Sequence, residues 1–288
     1  MRVHSSVLVA SCLALVSSLS AQLTVGQVDA DPAQLTEAFV RGKLRPATAA
    51  LTGEAADNPV DAGKLPRAPR IATEELWRSD GRALVAAEFS NEISAQDLYV
   101  FLDSTDAGWR IAAFRDFQLP SVFYNQLNHY RNKGESALRR DWEARYSASA
   151  SRGVSRAEHE AAHGTADERV FYVFNLRLAS GSDADLRRHF EALEPRFDAL
   201  RQNLEALPES PIPVEHDHAA VGDDLAYLLI KRAYRDGEGP LRLEIASIGG
   251  KDVGYLYCDE AACMPTPTPG GIIALRELGE GWWVYRRA

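Results

Sequence analysis

ELWRSDGRALVAAEF, residues 75–89, sets Asp80-Gly81 between two strand-like runs. A two-residue type I′ turn needs positive φ at both central positions, and Asp-Gly accepts it, so this stretch predicts a β-hairpin. VFLDSTDAGWRIAAFR, residues 100–115, predicts a second hairpin that turns at Gly108 and returns from Trp109. Together they make a four-strand antiparallel meander.

The other end of the chain repeats the pattern. EIASIGGKDVGYLYC (244–258) aligns without gaps on residues 75–89 from Glu75, with Gly249-Gly250 on Asp80-Gly81. IALRELGEGWWVYRRA (273–288) aligns on residues 100–115, with Gly281-Trp282 on Gly108-Trp109. Identity is low, so the two ends are either related sheet units or simply two antiparallel hairpin pairs with the same turn chemistry. Trp282 and Trp283 face opposite sides of their strand, which offers one of them as a contact surface.

Helical spacing fills the space between. Asp31-Pro32 has an N-cap residue and Pro at N1, with Leu35 and Phe39 one turn apart, and predicts a first helix. Residues 45–70 are rich in Ala, Pro and Gly and read as a mobile loop. Phe123, Leu127 and Tyr130 predict a helix stopping at Gly134, and Leu138, Trp142 and Tyr146 a second. SASASRGVSRAEHEAAHGTADE (147–168) has Val154 as its one large apolar residue and reads as an exposed linker or polar helix. VFYVFNLRL (170–178) reads as a strand. From Leu186 the apolar residues through Leu207 keep a helical seam, interrupted at Pro195 by a kink or a second helix start and ended by Pro208. A further helix is expected over 223–234.

The fold class is therefore α+β: two antiparallel-sheet units, each with packed helices, joined by a helical or linker segment. The expected organisation is a signal peptide at 1–21, an N-terminal unit at 22–134, helix and polar linker at 135–168, and a C-terminal unit at 169–288. Roughly 265 residues after cleavage suit one large or two small domains.

The signal assignment rests on Arg2 ahead of an apolar run from Val7 to Leu19 and small residues after it, with cleavage after Ala21. Val9-Ala10-Ser11-Cys12 also resembles a lipobox, which makes a lipoprotein anchored through Cys12 the alternative. No later stretch approaches the ~20 apolar residues of a transmembrane helix. The composition, 45% hydrophobic and 25% charged, is that of a globular protein rather than a disordered one. A net charge of −9 without a basic stripe argues against nucleic acid as a partner.

Cys258 and Cys263 remain once Cys12 is cleaved away. In an oxidising compartment they form a local disulfide; a lone C-x4-C is a weaker zinc signal.

HEAAH, His159 to His163, matches the H-E-x-x-H zinc-peptidase pattern. There the two histidines project from one helix face to bind zinc, and the glutamate, here Glu160, acts as general base. Glu194 is the candidate third ligand, with Asp198 one turn on, although Pro195 biases Glu194 away from helical geometry. Such a helix must be buried under a cleft, yet the flanks SRAE and GTADE offer little to bury. The motif is expected to be a solvated helix or linker, with no catalytic residue, cofactor or metal assigned. Glu215, His216, Asp217 and His218 form a second metal-like cluster on a connecting loop, without further identified ligands. No G-x-S-x-G elbow and no phosphate loop occurs.

DLYVFLDSTDAGWRIAAFR (97–115), with a helix ahead of it, resembles the closing hairpin of NTF2-like (cystatin-like) domains over residues 31–118. The resemblance implies helices on one concave sheet face, enclosing either a small-molecule pocket or a binding surface. No catalytic residue carries over, since the acid and base positions of the enzymatic members have no match here. The C-terminal G-W-W-V-Y strand resembles exported bacterial proteins of unassigned function.

Three functions follow as expectations. The first is a non-enzymatic exported protein binding an envelope component, a protein or a small ligand. The second is a secreted zinc peptidase using His159, Glu160 and His163. The third is a small-molecule enzyme or carrier, which a deep pocket holding a buried Asp, Glu or Tyr would favour.

Overall fold

The structure is a computed structural model that describes residues 31–44, 47–60, 70–91, 95–117, 120–207, 213–215, 218–235 and 239–288. The expected signal peptide at 1–21, with Cys12, and His216 and Asp217 of the second metal-like cluster lie outside these residues. The fold is α+β, with the described strands in two antiparallel sheets.

The first sheet is the expected meander: β1 (Arg70–Ser79), β2 (Arg82–Ser90), β3 (Ala95–Thr105) and β4 (Gly108–Asp116), in the order β1-β2-β3-β4. Asp80 and Gly81 join the first pair with φ of 49° and 72°, as a type I′ turn requires. Period-2 alternation splits this sheet into two buried faces. Val85, Ala87, Val100, Leu102 and Ile111 pack against Leu35 and Phe39 of α1 (Pro32–Val40), whose first turn is capped by Asp31. Leu84, Ala86, Tyr99, Phe101 and Ala113 point the other way and meet Ile273 and Ala274 of the second sheet. Burial on both faces is why β2 reads as an almost unbroken apolar run.

The expected loop at 45–70 carries structure: a 3-10 turn at Ala47–Ala50 and α2 (Gly53–Asp57). Ala50 and Ala55 are small enough to seat this backbone directly on the sheet, and both are buried in its core.

The second sheet holds β5 (Val214–Glu215), β6 (Arg232–Arg235), β7 (Leu241–Ile248), β8 (Lys251–Tyr257), β9 (Ile272–Gly279) and β10 (Trp282–Arg287), in the order β5-β6-β7-β8-β10-β9. Both its expected hairpins form, but the repeat stops there. In the first sheet β2 pairs with β3, whereas here β8 pairs with β10 and β9 is carried to the outside. The connection from Cys258 to Gly271 makes this possible. It is closed by the Cys258–Cys263 disulfide, with Cα atoms 5.9 Å apart, and then runs through Pro265, Pro267 and Pro269. Proline cannot join a ladder, so this segment cannot extend β8.

The middle of the chain is α3 (Ser121–Tyr130), α4 (Glu135–Ala150), α5 (Arg156–His163), α6 (Ala166–Ala179), α7 (Asp183–Glu205) and α8 (Gly222–Tyr227). The expected strand at 170–178 is the body of α6. A capping box between Thr165 and Glu168 starts the helix, and an apolar run alone does not distinguish a strand from a buried helix. α7 runs unbroken through Pro195 and buries Leu186, Phe190, Phe197 and Leu200 against Tyr255 and Trp282 of the second sheet. The helix expected over 223–234 ends after one and a half turns, where Leu229 takes φ of 56°, and β6 follows. Asn175 of α6 fixes that turn by donating to the carbonyls of Leu229 (2.8 Å) and Ile245 (2.6 Å). Trp283 is half-buried in a small cluster with Leu256 and Tyr285 rather than forming an open contact surface.

Among the described residues no helix is long and apolar enough to cross a membrane.

Candidate functional site

Three parts of the chain converge where the sheets meet. β3 supplies Asp97 and Tyr99, the first turn of α7 supplies Asp183, and the C-terminal hairpin supplies Arg276 and Arg286. The local reasons differ. Ser182 caps α7 through a capping box with Asp185, which leaves Asp183 at the first helical position. There a carboxylate is favoured by the exposed amides and the helix dipole. Arg286 follows Trp282 and Val284 on one strand face, so alternation drives its side chain inward.

The carboxylate of Asp183 accepts from Tyr99 Oη at 2.9 Å and Arg286 Nε at 2.8 Å through Oδ1, and from Arg276 Nε at 3.3 Å through Oδ2. Its backbone N–H donates to Asp97 Oδ2 at 2.8 Å. Arg286 also donates to the Gly181 carbonyl at 2.7 Å, and Arg276 pairs with Glu74 of β1. Asp183, Tyr99 and Arg286 are almost wholly buried.

The two carboxyls titrate apart. Burial raises Asp97, the neighbouring Asp183 charge adds to it, and Arg286 and the Asp183 amide only partly offset them; its pKa reaches about 7. Burial also opposes ionisation of Asp183, but Arg286 and Arg276 overcome it and hold that carboxyl below its ordinary value. Tyr99 is pushed well above the usual phenol value by burial. A pair of acids separated in this way gives one fixed charge and one group able to exchange a proton near neutrality.

Asp97 is also where the network opens. A 440 Å³ cleft is lined at its base by Asp97, Tyr99 and Arg286, and elsewhere by Gln96, Asn128, Arg131, Arg177 and Ser182. Asp97 Oδ1 is buried with no hydrogen-bond partner among the described residues. A perturbed carboxyl with an unpartnered oxygen beside a cleft makes this the candidate functional site.

The HEAAH residues lie elsewhere. His159 is 3% exposed, so the expectation of a solvated linker fails at this position. The apolar partners come from α4, not from the flanks: the His159 ring lies 5.1 Å from that of Trp142 and 5.7 Å from that of Tyr146. Trp142 in turn donates its indole N–H to the Gly164 carbonyl at 2.9 Å, fixing the end of α5. His163 is exposed, with its ring 4.7 Å from His159, and Glu160 pairs with Arg156 at 3.0 Å. Among the described residues no three His, Cys, Asp or Glu side chains gather to hold a metal ion, so Glu194 does not join the two histidines. Glu215 and His218 are exposed, and His218 Nδ1 accepts from the Ala220 amide.

Sequence reasoning passed over the network at Asp97. The available signal was a charged residue at an inward position: Arg286 two residues after Val284 and four after Trp282.

Fold and cleft together define an α+β protein of two antiparallel sheets with an ionisable cleft at their junction. Compared with family models, curated proteins and solved structures, the chain matches none.

Proposed function

We propose that this is an exported small-ligand-binding protein whose site is the cleft at the junction of the two sheets. The observation that carries it is Asp97, which lines the cleft with an unpartnered, buried Oδ1 and a pKa of about 7. A protonated carboxyl there offers an O–H donor to a carbonyl or hydroxyl of the ligand, while Asn128 and Arg131 supply further polar contacts. The cleft volume falls in the range of small-molecule sites, roughly 300–1,000 Å³. Export accords with the signal-like residues 1–21 and the Cys258–Cys263 disulfide, and a helix laid on a four-stranded meander supports the NTF2-like likeness.

A thermal-shift screen of small polar compounds against wild type and Asp97→Asn tests the proposal. Compounds that stabilise wild type should lose that effect in the variant; stabilisation that survives unchanged would remove the cleft from consideration. Sequencing the mature N-terminus separates cleavage before Gln22 from lipid on Cys12.

One observation favours a second function. A carboxyl titrating near neutrality beside Tyr99 suits general acid–base catalysis on the bound molecule. Turnover of a bound compound by the wild type, with a pH–rate profile that breaks near 7, would establish it.

A further inference from the structure

A second cavity, of 330 Å³, lies between α4, α5 and α6 and shares no lining residue with the Asp97 cleft. Tyr130, Arg145, Arg152, His159, His163 and Arg169 line it. Its one carboxylate, Asp141, is held by Lys133 at 2.5 Å. Arg145 and Arg169 both donate to the hydroxyl of Tyr130, and Arg152 reaches Ser149 Oγ at 3.5 Å. None of the three guanidiniums lies in an ion pair among the described residues. Two cations converging on one neutral oxygen repel each other, and Asp141, the one carboxylate of the lining, acts on Arg145 but is engaged first by Lys133.

His159 adds an independent observation. Both of its ring nitrogens are buried without a hydrogen-bond partner. Such groups are costly to leave unpaired, and buried polar atoms in native proteins are nearly always satisfied by protein, water or ligand. A divalent cation is a poor candidate, since His159, His163 and Asp141 do not gather into a metal-holding group among the described residues and the cavity carries three guanidiniums. An oxyanion answers both needs, accepting from the imidazole N–H and from guanidinium N–H groups.

We propose that this cavity is a binding site for a phosphate-type oxyanion, free or as a small phosphomonoester. Donors come from three helices and a turn: Arg145 from α4, Arg152 from the turn after it, His159 from α5 and Arg169 from α6. Convergence from several sides suits a tetrahedral anion with several oxygens better than a planar carboxylate. The cavity is at the small end of ligand sites, which leaves room for a short ester group beside Trp142 and not for a nucleotide.

Calorimetric titration of the mature chain with inorganic phosphate and with glycerol phosphate, against chloride at matched ionic strength, tests the site. Saturable binding of phosphate is expected, with tighter binding of glycerol phosphate if the site is built for an ester and equal binding if it takes the free ion. Arg152→Gln, at an exposed position that leaves the helices intact, and Arg169→Gln should each weaken binding by about tenfold or more. Asp97→Asn should leave it unchanged, which separates this site from the cleft. Absence of a saturable phosphate response beyond chloride, undiminished affinity in both arginine variants, or stoichiometric zinc in protein prepared without chelator would overturn the proposal.

Discussion

Arg286 Nε lies 2.8 Å from Asp183 Oδ1, joining the second sheet to the first turn of α7 with both side chains almost fully buried. The bond spans 103 residues, and Tyr99 reaches the same oxygen from the first sheet. The two sheets are thus held by one shared carboxylate as well as by the apolar contact of Ile273 and Ala274 with Leu84 and Phe101.

Arg286→Met should therefore be costly. It leaves Asp183 buried with only Arg276 and Tyr99 to balance its charge, and breaking one side of a buried pair costs about 3–5 kcal/mol. Adding Asp183→Asn should recover much of the loss. Urea unfolding of the single and double variants measures both effects.

Asp97 gives stability a pH dependence with a definite sign. Its folded pKa, about 7, is above its unfolded value, so the native state binds the extra proton between about pH 4 and 7. That contribution is present in acid and is lost as pH rises through 7. His189 acts oppositely: burial lowers it to about 4, so its contribution is present at neutrality and is lost as pH falls from about 6.5 to 4. The two slopes offset each other in wild type over that window. Asp97→Asn should expose the His189 slope, giving stability that rises with pH up to about 6.5, and the difference from wild type should amount to on the order of 2–4 kcal/mol. Melting temperatures of both proteins from pH 4 to 8 decide it.

Gly254 is fixed by space rather than by φ. A Cβ there would lie 2.1 Å from the Leu243 carbonyl oxygen and 3.0 Å from Glu244 Cα, in the centre of the β7-β8-β10 ladder. Gly254→Ala should cost roughly 2–4 kcal/mol by forcing the strands apart. Unchanged unfolding of the alanine variant would contradict this packing.

His159→Leu should behave unlike most core substitutions. In phosphate-free buffer it replaces two unpartnered nitrogens with an apolar group against Trp142 and Tyr146, so stability should hold or rise by about 1 kcal/mol. In saturating phosphate the order should reverse, because only the wild type gains from the ligand. Thermal melts with and without phosphate show the crossover.

The hairpins were legible because Asp80-Gly81 and Gly249-Gly250 announce positive φ, a local requirement with few solutions. The order of the second sheet was not, because it depends on where the chain from Cys258 to Gly271 carries β9, and turn chemistry at Gly281 is the same for either order. α6 was misread because Val170 to Leu178 is apolar on most sides, and only the capping box at Thr165 and Glu168 distinguishes it. The Asp97 cleft escaped because its members are separated by 84 to 103 residues and each has an ordinary local explanation. His159 was judged by its nearest neighbours in sequence, whereas Trp142, on α4, provides its burial.

The position of β10 between β8 and β9 carries a consequence for how the chain is assembled. β8 offers β9 an open edge next to it in sequence, and pairing there would produce the simple meander seen in the first sheet. That alternative order is built from the same hairpins and differs only in which strand is central. It would move Arg286 away from Asp183 and leave Asp183 without its main counter-charge. The buried ion pair therefore belongs to one strand order alone and favours it over the meander by the charge it balances.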